Sequence, residues 1–181
     1  MSSNFENKNL IESVISIAKC AGKEILKIYN LDDFGIIKKK DNSPLTLADN
    51  ASNDIIYSQL KKLTPDIPIL SEEGRDIPYS ERKKWNTFWL IDPLDGTKEF
   101  IKKNGEFSVN IALINHFKPI LGVVYAPVND TTWYGCPNTG SFKIIANHEP
   151  KKINVLNSIN NEKIKVVSSR SHSNNSKLNK F

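Results

Sequence analysis

Four consecutive apolar residues, Phe88-Trp89-Leu90-Ile91, run straight into Asp92-Pro93-Leu94-Asp95-Gly96-Thr97. A compact apolar run that stops this abruptly predicts a buried strand followed by a tight turn. A strand of this kind needs covering layers, and the flanking sequence offers helices before it and strands after it.

Apolar residues at Leu10, Val14, Ile17, Ala18, Ala21, Ile25 and Ile28 recur every three or four positions. This spacing predicts an amphipathic helix over 10–29. A short strand is expected over Gly35 to Lys40, ahead of the turn residues Asp41-Asn42-Ser43-Pro44. A second helix is expected from Leu47 to Leu63, capped by Thr46 or Ser43, with Ala48, Ile55, Ile56, Leu60 and Leu63 as its buried positions. Thr64-Pro65 ends it, and Ile67-Pro68-Ile69-Leu70 reads as a brief strand. Ser71 to Asn86 is polar and reads as a loop with a helical turn around Ser80 to Trp85. From Gly105 on, strands are predicted over Phe107–Ile114, Ile120–Tyr125, Thr131–Tyr134 and Ser141–Ile145. The turn residues between them fit an antiparallel meander. A further strand is expected over Lys163–Ser168, and the first turns of a helix from Ser173. Helices followed by a largely antiparallel sheet make an α+β fold.

Composition narrows the class of function. With 181 residues, 39% hydrophobic and 25% charged, the chain has material for one domain or a little more with a real core. Disulfide-stapled mini-proteins and disordered chains are excluded. No stretch approaches the roughly 18 apolar residues of a membrane span, and the opening residues lack the layout of a signal peptide. Cys20 and Cys136 show no CxxC spacing and no local histidine pair, so no zinc or redox motif is signalled. The net charge of +5 suits an anionic partner, but the basic runs, among them Lys151 and Lys152, are too short to read as a nucleic-acid surface.

Acidic residues stand at or just after predicted strand ends: Glu72 and Glu73 after Leu70, then Asp92 and Asp95 after Ile91. The Asp92–Asp95 spacing sends two carboxylates and the Leu94 carbonyl towards one point, an all-oxygen set suited to a hard cation such as Mg2+. Gly96 lets a phosphate approach the backbone closely, and Thr97 places a hydroxyl where a helix opens. Asp49 stands at the head of the second helix, where a carboxylate is also favoured for helix stability alone. The same Asp-Pro-x-Asp-Gly string also suits an ordinary surface turn.

The strings LTLADN, ILSEEG and WLIDPLDGTKEF, with NGEFSVNIALI and KPILGVVYAPV after them, resemble the inositol monophosphatase superfamily of Mg2+-dependent, lithium-sensitive phosphatases. Lys98-Glu99-Phe100 and Val166-Val167-Ser168-Ser169-Arg170-Ser171-His172 are most similar to its CysQ-type 3′(2′),5′-bisphosphate nucleotidase branch. The resemblance implies a layered α/β/α sugar-phosphatase-like fold. It implies Glu72, Asp92, the Leu94 carbonyl and Asp95 as metal ligands, for two or three Mg2+ ions. Asp49 and Thr97 would form the dyad that acts on the attacking water together with Glu72. The substrate phosphate would meet Glu72, Leu94, Asp95, Gly96 and Thr97, and Glu73 would stand outside the ligand set.

The implied reaction removes the 3′-phosphate from 3′-phosphoadenosine 5′-phosphate, giving AMP, or from 3′-phosphoadenylyl sulfate. Alternatives are an inositol or sugar monophosphatase of the same superfamily, or a catalytically silent remnant. The family adds a second α/β domain with a further aspartate ligand in a Trp-Asp-x-Ala-Ala-Gly type string, and nothing between Ser158 and Phe181 matches that string. The expected division is therefore a domain over 1–157 and the start of a truncated one over 158–181. The expected partner is a small nucleotide bisphosphate, in the cytoplasm or loosely on the inner face of the inner membrane.

Overall fold

The computed structural model describes residues 8–38 and 44–155. Helix α1 (Lys8–Tyr29) leads to β1 (Ile37–Lys38), which pairs antiparallel with β2 (Pro44–Leu45). Next come α2 (Leu47–Leu63), β3 (Ile69–Ser71), the single turn α3 (Tyr79–Arg82), β4 (Thr87–Asp95) and α4 (Thr97–Ile101). Five strands complete the described chain: β5 (Ser108–Asn115), β6 (Lys118–Ala126), β7 (Thr131–Cys136), β8 (Gly140–Ile145) and β9 (Lys151–Ile153). Strands β3 to β9 form one seven-stranded sheet in sequence order. The strand expected over 163–168, the helix expected from 173, the alternative cap Ser43 and the domain boundary at 157 all lie outside the described residues.

The α+β arrangement is the expected one, and four local expectations change. β3 runs parallel to β4, so the sheet is antiparallel only from β4 onward. β4 does not stop at Ile91 but continues through Asp95, because Pro93 and Leu94 are themselves buried. Strand β9 carries no apolar alternation, and its Lys151-Lys152-Ile153 reads in sequence as a basic run; all three residues are exposed at the sheet edge. Leu63, expected in the core, is 36% exposed at the end of α2.

One face of the sheet is covered by α1 and α2. Ile11, Val14, Ile17, Ala18, Ala21 and Ile25 of α1 are buried, as are Ala48, Ile56 and Leu60 of α2. They meet Trp89, Ile91, Val109, Ile111, Leu113, Leu121 and Val123 from the inward positions of β4, β5 and β6. The period-2 alternation of these strands turns Leu90, Asp92, Asn110, Ala112 and Val124 to the opposite face. Among the described residues that face has no covering layer: Leu90 and Val124 stay 43% and 40% exposed beside a groove of about 540 Å3.

The docking of α1 depends on a missing side chain. Gly22 lies under the ring of Tyr125, where an added Cβ would stand 2.8 Å from Cδ1 and closer still to Cε1. The ring cannot swing away, because Tyr125 is buried and its hydroxyl donates to Asp130 Oδ1 at 3.1 Å. Burial and that carboxylate push the phenol pKa up and keep it a donor. Gly22→Ala should therefore destabilise the chain by about 1–3 kcal/mol. That outweighs the roughly 1 kcal/mol of helix propensity that alanine adds. Urea unfolding of the two chains measures the difference, and an unchanged midpoint would contradict the close contact.

Candidate active site

Three segments converge at the ends of β3 and β4. Ser71 of β3 pairs with Ile91, and Glu72 just beyond it donates its backbone N–H to the Ile91 carbonyl at 3.2 Å. This hydrogen bond brings Glu72 alongside Asp92. Opposite, Asp92 pairs with Asn110 and Asp95 with Ser108 of β5. Three steps on β4 thus match two on β5, which makes a bulge with one extra residue at Pro93-Leu94. Proline suits it, since it has no N–H to give to the ladder.

Gly96 follows with φ +93°, and a Cβ there would lie 2.9 Å from the Glu106 carbonyl, so glycine alone fits this corner. The corner delivers Thr97 to the first position of α4. Thr97 Oγ1 lies 3.0 Å from Asp49 Oδ1 and 3.3 Å from the Leu94 carbonyl.

Asp49 is buried and uses both carboxylate oxygens. Oδ2 accepts from the Thr46 backbone N–H at 2.7 Å and from Thr46 Oγ1 at 2.6 Å, while the Ala48 N–H donates to Thr46 Oγ1. This is a capping box with aspartate in its acidic position. Oδ1 remains for Thr97. The capping box and the hydrogen bond from Thr97 therefore use one oxygen each of the same side chain.

The carboxylates interact strongly with one another. The Asp92 carboxyl is pushed up to about 7 by burial, and further by the negative charges of Glu72 and Asp95. The Leu94 backbone N–H opposes the shift, and a side-chain hydrogen bond between Asp92 and Glu72 adds to it. Asn110 Nδ2 donates to Asp95 Oδ2 at 3.3 Å, and Ser108 Oγ donates to Asn110 Oδ1 at 3.1 Å. Glu73 turns its backbone N–H onto Ser71 Oγ at 3.2 Å and is half-buried. Among the described residues no three carboxylate, histidine or cysteine side chains stand close enough together to hold a metal ion as they are. Asp49 is committed to Thr46 and Thr97.

The inositol monophosphatase family matches residues 6–181. This chain belongs to that family. The 3′(2′),5′-bisphosphate nucleotidase CysQ of Escherichia coli K12 is 54% identical over 121 residues, covering 66% of this chain and 48% of that protein. The CysQ of Buchnera aphidicola from Acyrthosiphon pisum is 44% identical over 168 residues, 92% of this chain and 62% of its own length. A crystal structure of CysQ from Bacteroides thetaiotaomicron superimposes with a TM-score of 0.67 at 41% identity, covering 83% of this chain and 55% of that one. The chain thus spans about half the length of the curated relatives it matches.

The donor set fits the hard cation expected in this family. Glu72, Asp92, Asp95 and the Leu94 carbonyl offer oxygen only, and the negative charges of Glu72 and Asp95 add to burial in raising the Asp92 carboxyl. Sequence reasoning missed Asn110, Ser52 and Asn53. Asn110 was within reach, since it is the polar residue in the outward row of Ser108-Val109-Asn110-Ile111, on the face of Asp92. Ser52 and Asn53 carry no sequence signal, because their partners are fixed by packing.

Proposed function

We propose that this chain carries the cation- and water-handling part of a Mg2+-dependent phosphomonoesterase. Its substrate is 3′-phosphoadenosine 5′-phosphate, from which loss of the 3′-phosphate gives AMP, and the sulfated relative of that nucleotide, which gives adenosine 5′-phosphosulfate. The reading rests first on the Thr97–Asp49 hydrogen bond of 3.0 Å beside the Glu72, Asp92 and Asp95 carboxylates. The names of the CysQ relatives, 3′(2′),5′-bisphosphate nucleotidases, support a nucleotide bisphosphate as substrate, and a place in sulfur assimilation or nucleotide recycling is part of the same proposal.

Glu72, Asp92, Asp95 and the Leu94 carbonyl would hold the cations. Bound Mg2+ supplies charge that eases deprotonation of water and stabilises the leaving oxygen. The protein's own work is proton handling and orientation. Asp49, anchored through Oδ2, takes the Thr97 hydroxyl proton on Oδ1 and so turns a Thr97 lone pair towards an attacking water. The water gives its proton to Thr97 Oγ1 as Thr97 gives its own to Asp49. Gly96, without a side chain, leaves the backbone open to the phosphate.

The test is phosphate release from 3′-phosphoadenosine 5′-phosphate with Mg2+ varied and lithium as a control. Mg2+-dependent, lithium-inhibited release is expected, and a folded chain that releases none would overturn the reading for this chain acting alone. A clear preference for inositol monophosphate would move the substrate to the sister branch. In an active form, Thr97→Ala should lower kcat about 10²-fold with little change in KM, because the proton relay matters in the transition state. A raised KM at equal kcat would contradict that role.

A further inference from the structure

Helix α2 reaches each of the three segments that build the site through one patch of its surface. Positions 49, 52 and 53 share a helical face, being three and four residues apart. Asp49 meets Thr97, Ser52 Oγ donates to the Pro93 carbonyl at 2.7 Å, and Asn53 Oδ1 accepts from Ser71 Oγ at 2.6 Å. The strand that carries Glu72, the bulge that carries Asp92 to Asp95, and the start of α4 are thereby tied to one rigid element.

Ser52 is the informative member. It is fully buried, and its hydroxyl passes over the helix's own carbonyls to bond a residue 41 positions away. A buried serine inside a helix ordinarily bonds a carbonyl in the preceding turn, so this choice of partner is specific. Pro93 lies between the last regular pair, Asp92–Asn110, and the resumed pair, Asp95–Ser108, where the ladder is interrupted. The Pro93 carbonyl belongs to the peptide plane that leads into Leu94, so holding its oxygen fixes how that plane is turned. The next carbonyl along is that of Leu94, which lies between Asp92 and Asp95 in the chain.

We infer that Ser52 is a positioning residue of the site: its hydroxyl sets the Pro93–Leu94 peptide plane and so aims the Leu94 carbonyl and the two carboxylates around it. The inference rests on the cation site proposed above, and its test is built so that the two can fail separately.

The experiment compares Ser52→Ala with Ile56→Val, a fully buried substitution one turn along α2 that removes a methyl group and no hydrogen bond. Two quantities are read on the intact chain: Mg2+ affinity by calorimetric titration, and amide hydrogen exchange over Leu94 to Thr97 without Mg2+. Ser52→Ala should speed exchange over Leu94–Thr97 at least tenfold and weaken Mg2+ binding about tenfold, the size seen when an outer support of a metal site is removed. Ile56→Val should move neither, even where it lowers the melting temperature as much. Equal effects of the two substitutions, or unchanged exchange in Ser52→Ala, would reduce Ser52 to a packing residue. Should Ser52→Ala fail to fold, Ser52→Cys decides. It keeps the side-chain shape with a weaker donor, and its exchange should be faster than that of the parent over the same residues. If the parent chain takes up no Mg2+, the cation reading fails by itself, and the exchange measurement still decides whether Ser52 sets the bulge.

Discussion

Replacing Asp92 with asparagine should give a chain that folds, melts higher at pH 7 and no longer responds to Mg2+. The reason lies in the position of Asp92, half-buried between Glu72 and Asp95, where its carboxyl is raised from 3.8 to about 7 by burial first and by the two negative neighbours next. A folded-state pKa above the unfolded one means that the folded chain binds the proton more tightly. The contribution of Asp92 to stability is therefore complete below about pH 4 and is lost as pH rises through 7. Metal-free chains should become less stable across that window, and Asp92→Asn, which carries no charge to bury, should flatten the loss. Thermal melts at pH 4.5 and 7.5, with and without Mg2+, read out both halves of this expectation. Stabilisation by the cation, which grows with its concentration over Kd, should vanish in the variant. Phosphate release in an active form should fall on the order of 10³-fold. Retained Mg2+-dependent turnover would remove Asp92 from the site.

The largest effect on stability is expected from Phe100→Ala. Phe100 is fully buried on α4, three residues after Thr97. Its ring centroid lies 5.1 Å from that of Tyr29, 5.2 Å from Phe34 and 5.3 Å from Phe107, in tilted and edge-to-face contacts. One side chain thus joins the end of α1, the residue ahead of the small two-stranded sheet and the approach to β5. Truncating such a ring costs about 3–5 kcal/mol. Against a typical total of about 5–15 kcal/mol this is a large share, and the melting temperature should fall by roughly 10 °C. Because α4 is anchored by this ring, turnover in an active form should fall as well, with lost order around Thr97. A melting temperature within a degree or two of the parent would show that the four rings do not pack as one cluster.

The parts of the fold legible in the sequence are those that repeat a simple period. The three-to-four spacing of α1 and the alternation in β5 and β6 appear in the structure as buried stripes, with Leu10 packed partly buried against the core and its neighbour Ile11 buried more fully. Features that depend on neighbours distant in sequence were hidden. The parallel partner of β3 and the bulge in β4 could not be read from Ile69 or Asp92, since both are set by what lies beside them. β9 was invisible because an exposed edge strand has no apolar pattern to show. Within the site, the acidic residues and Thr97 declared themselves by chemical type and by resemblance. The side chains that hold them in place, Ser52, Asn53 and Asn110, are common polar residues whose meaning comes only from the atoms they touch.

The hairpin order of β4 to β8 also governs when the site comes into being during folding. From β5 to β8 each strand meets its neighbour across a short turn and β4 joins β5 through residues 96–107, whereas Lys19 of α1 reaches the Ala146 carbonyl 127 residues away. Joining distant segments costs more chain entropy than joining near ones, so the meander is expected to assemble before the helical layer docks on it. Asp92 and Asp95 belong to the early meander, while Glu72 and Asp49 arrive with β3 and α2. Glu72 joins Asp92 and Asp95 only as the last layer docks, so its repulsion of them should be felt in the rate of unfolding more than in the rate of folding.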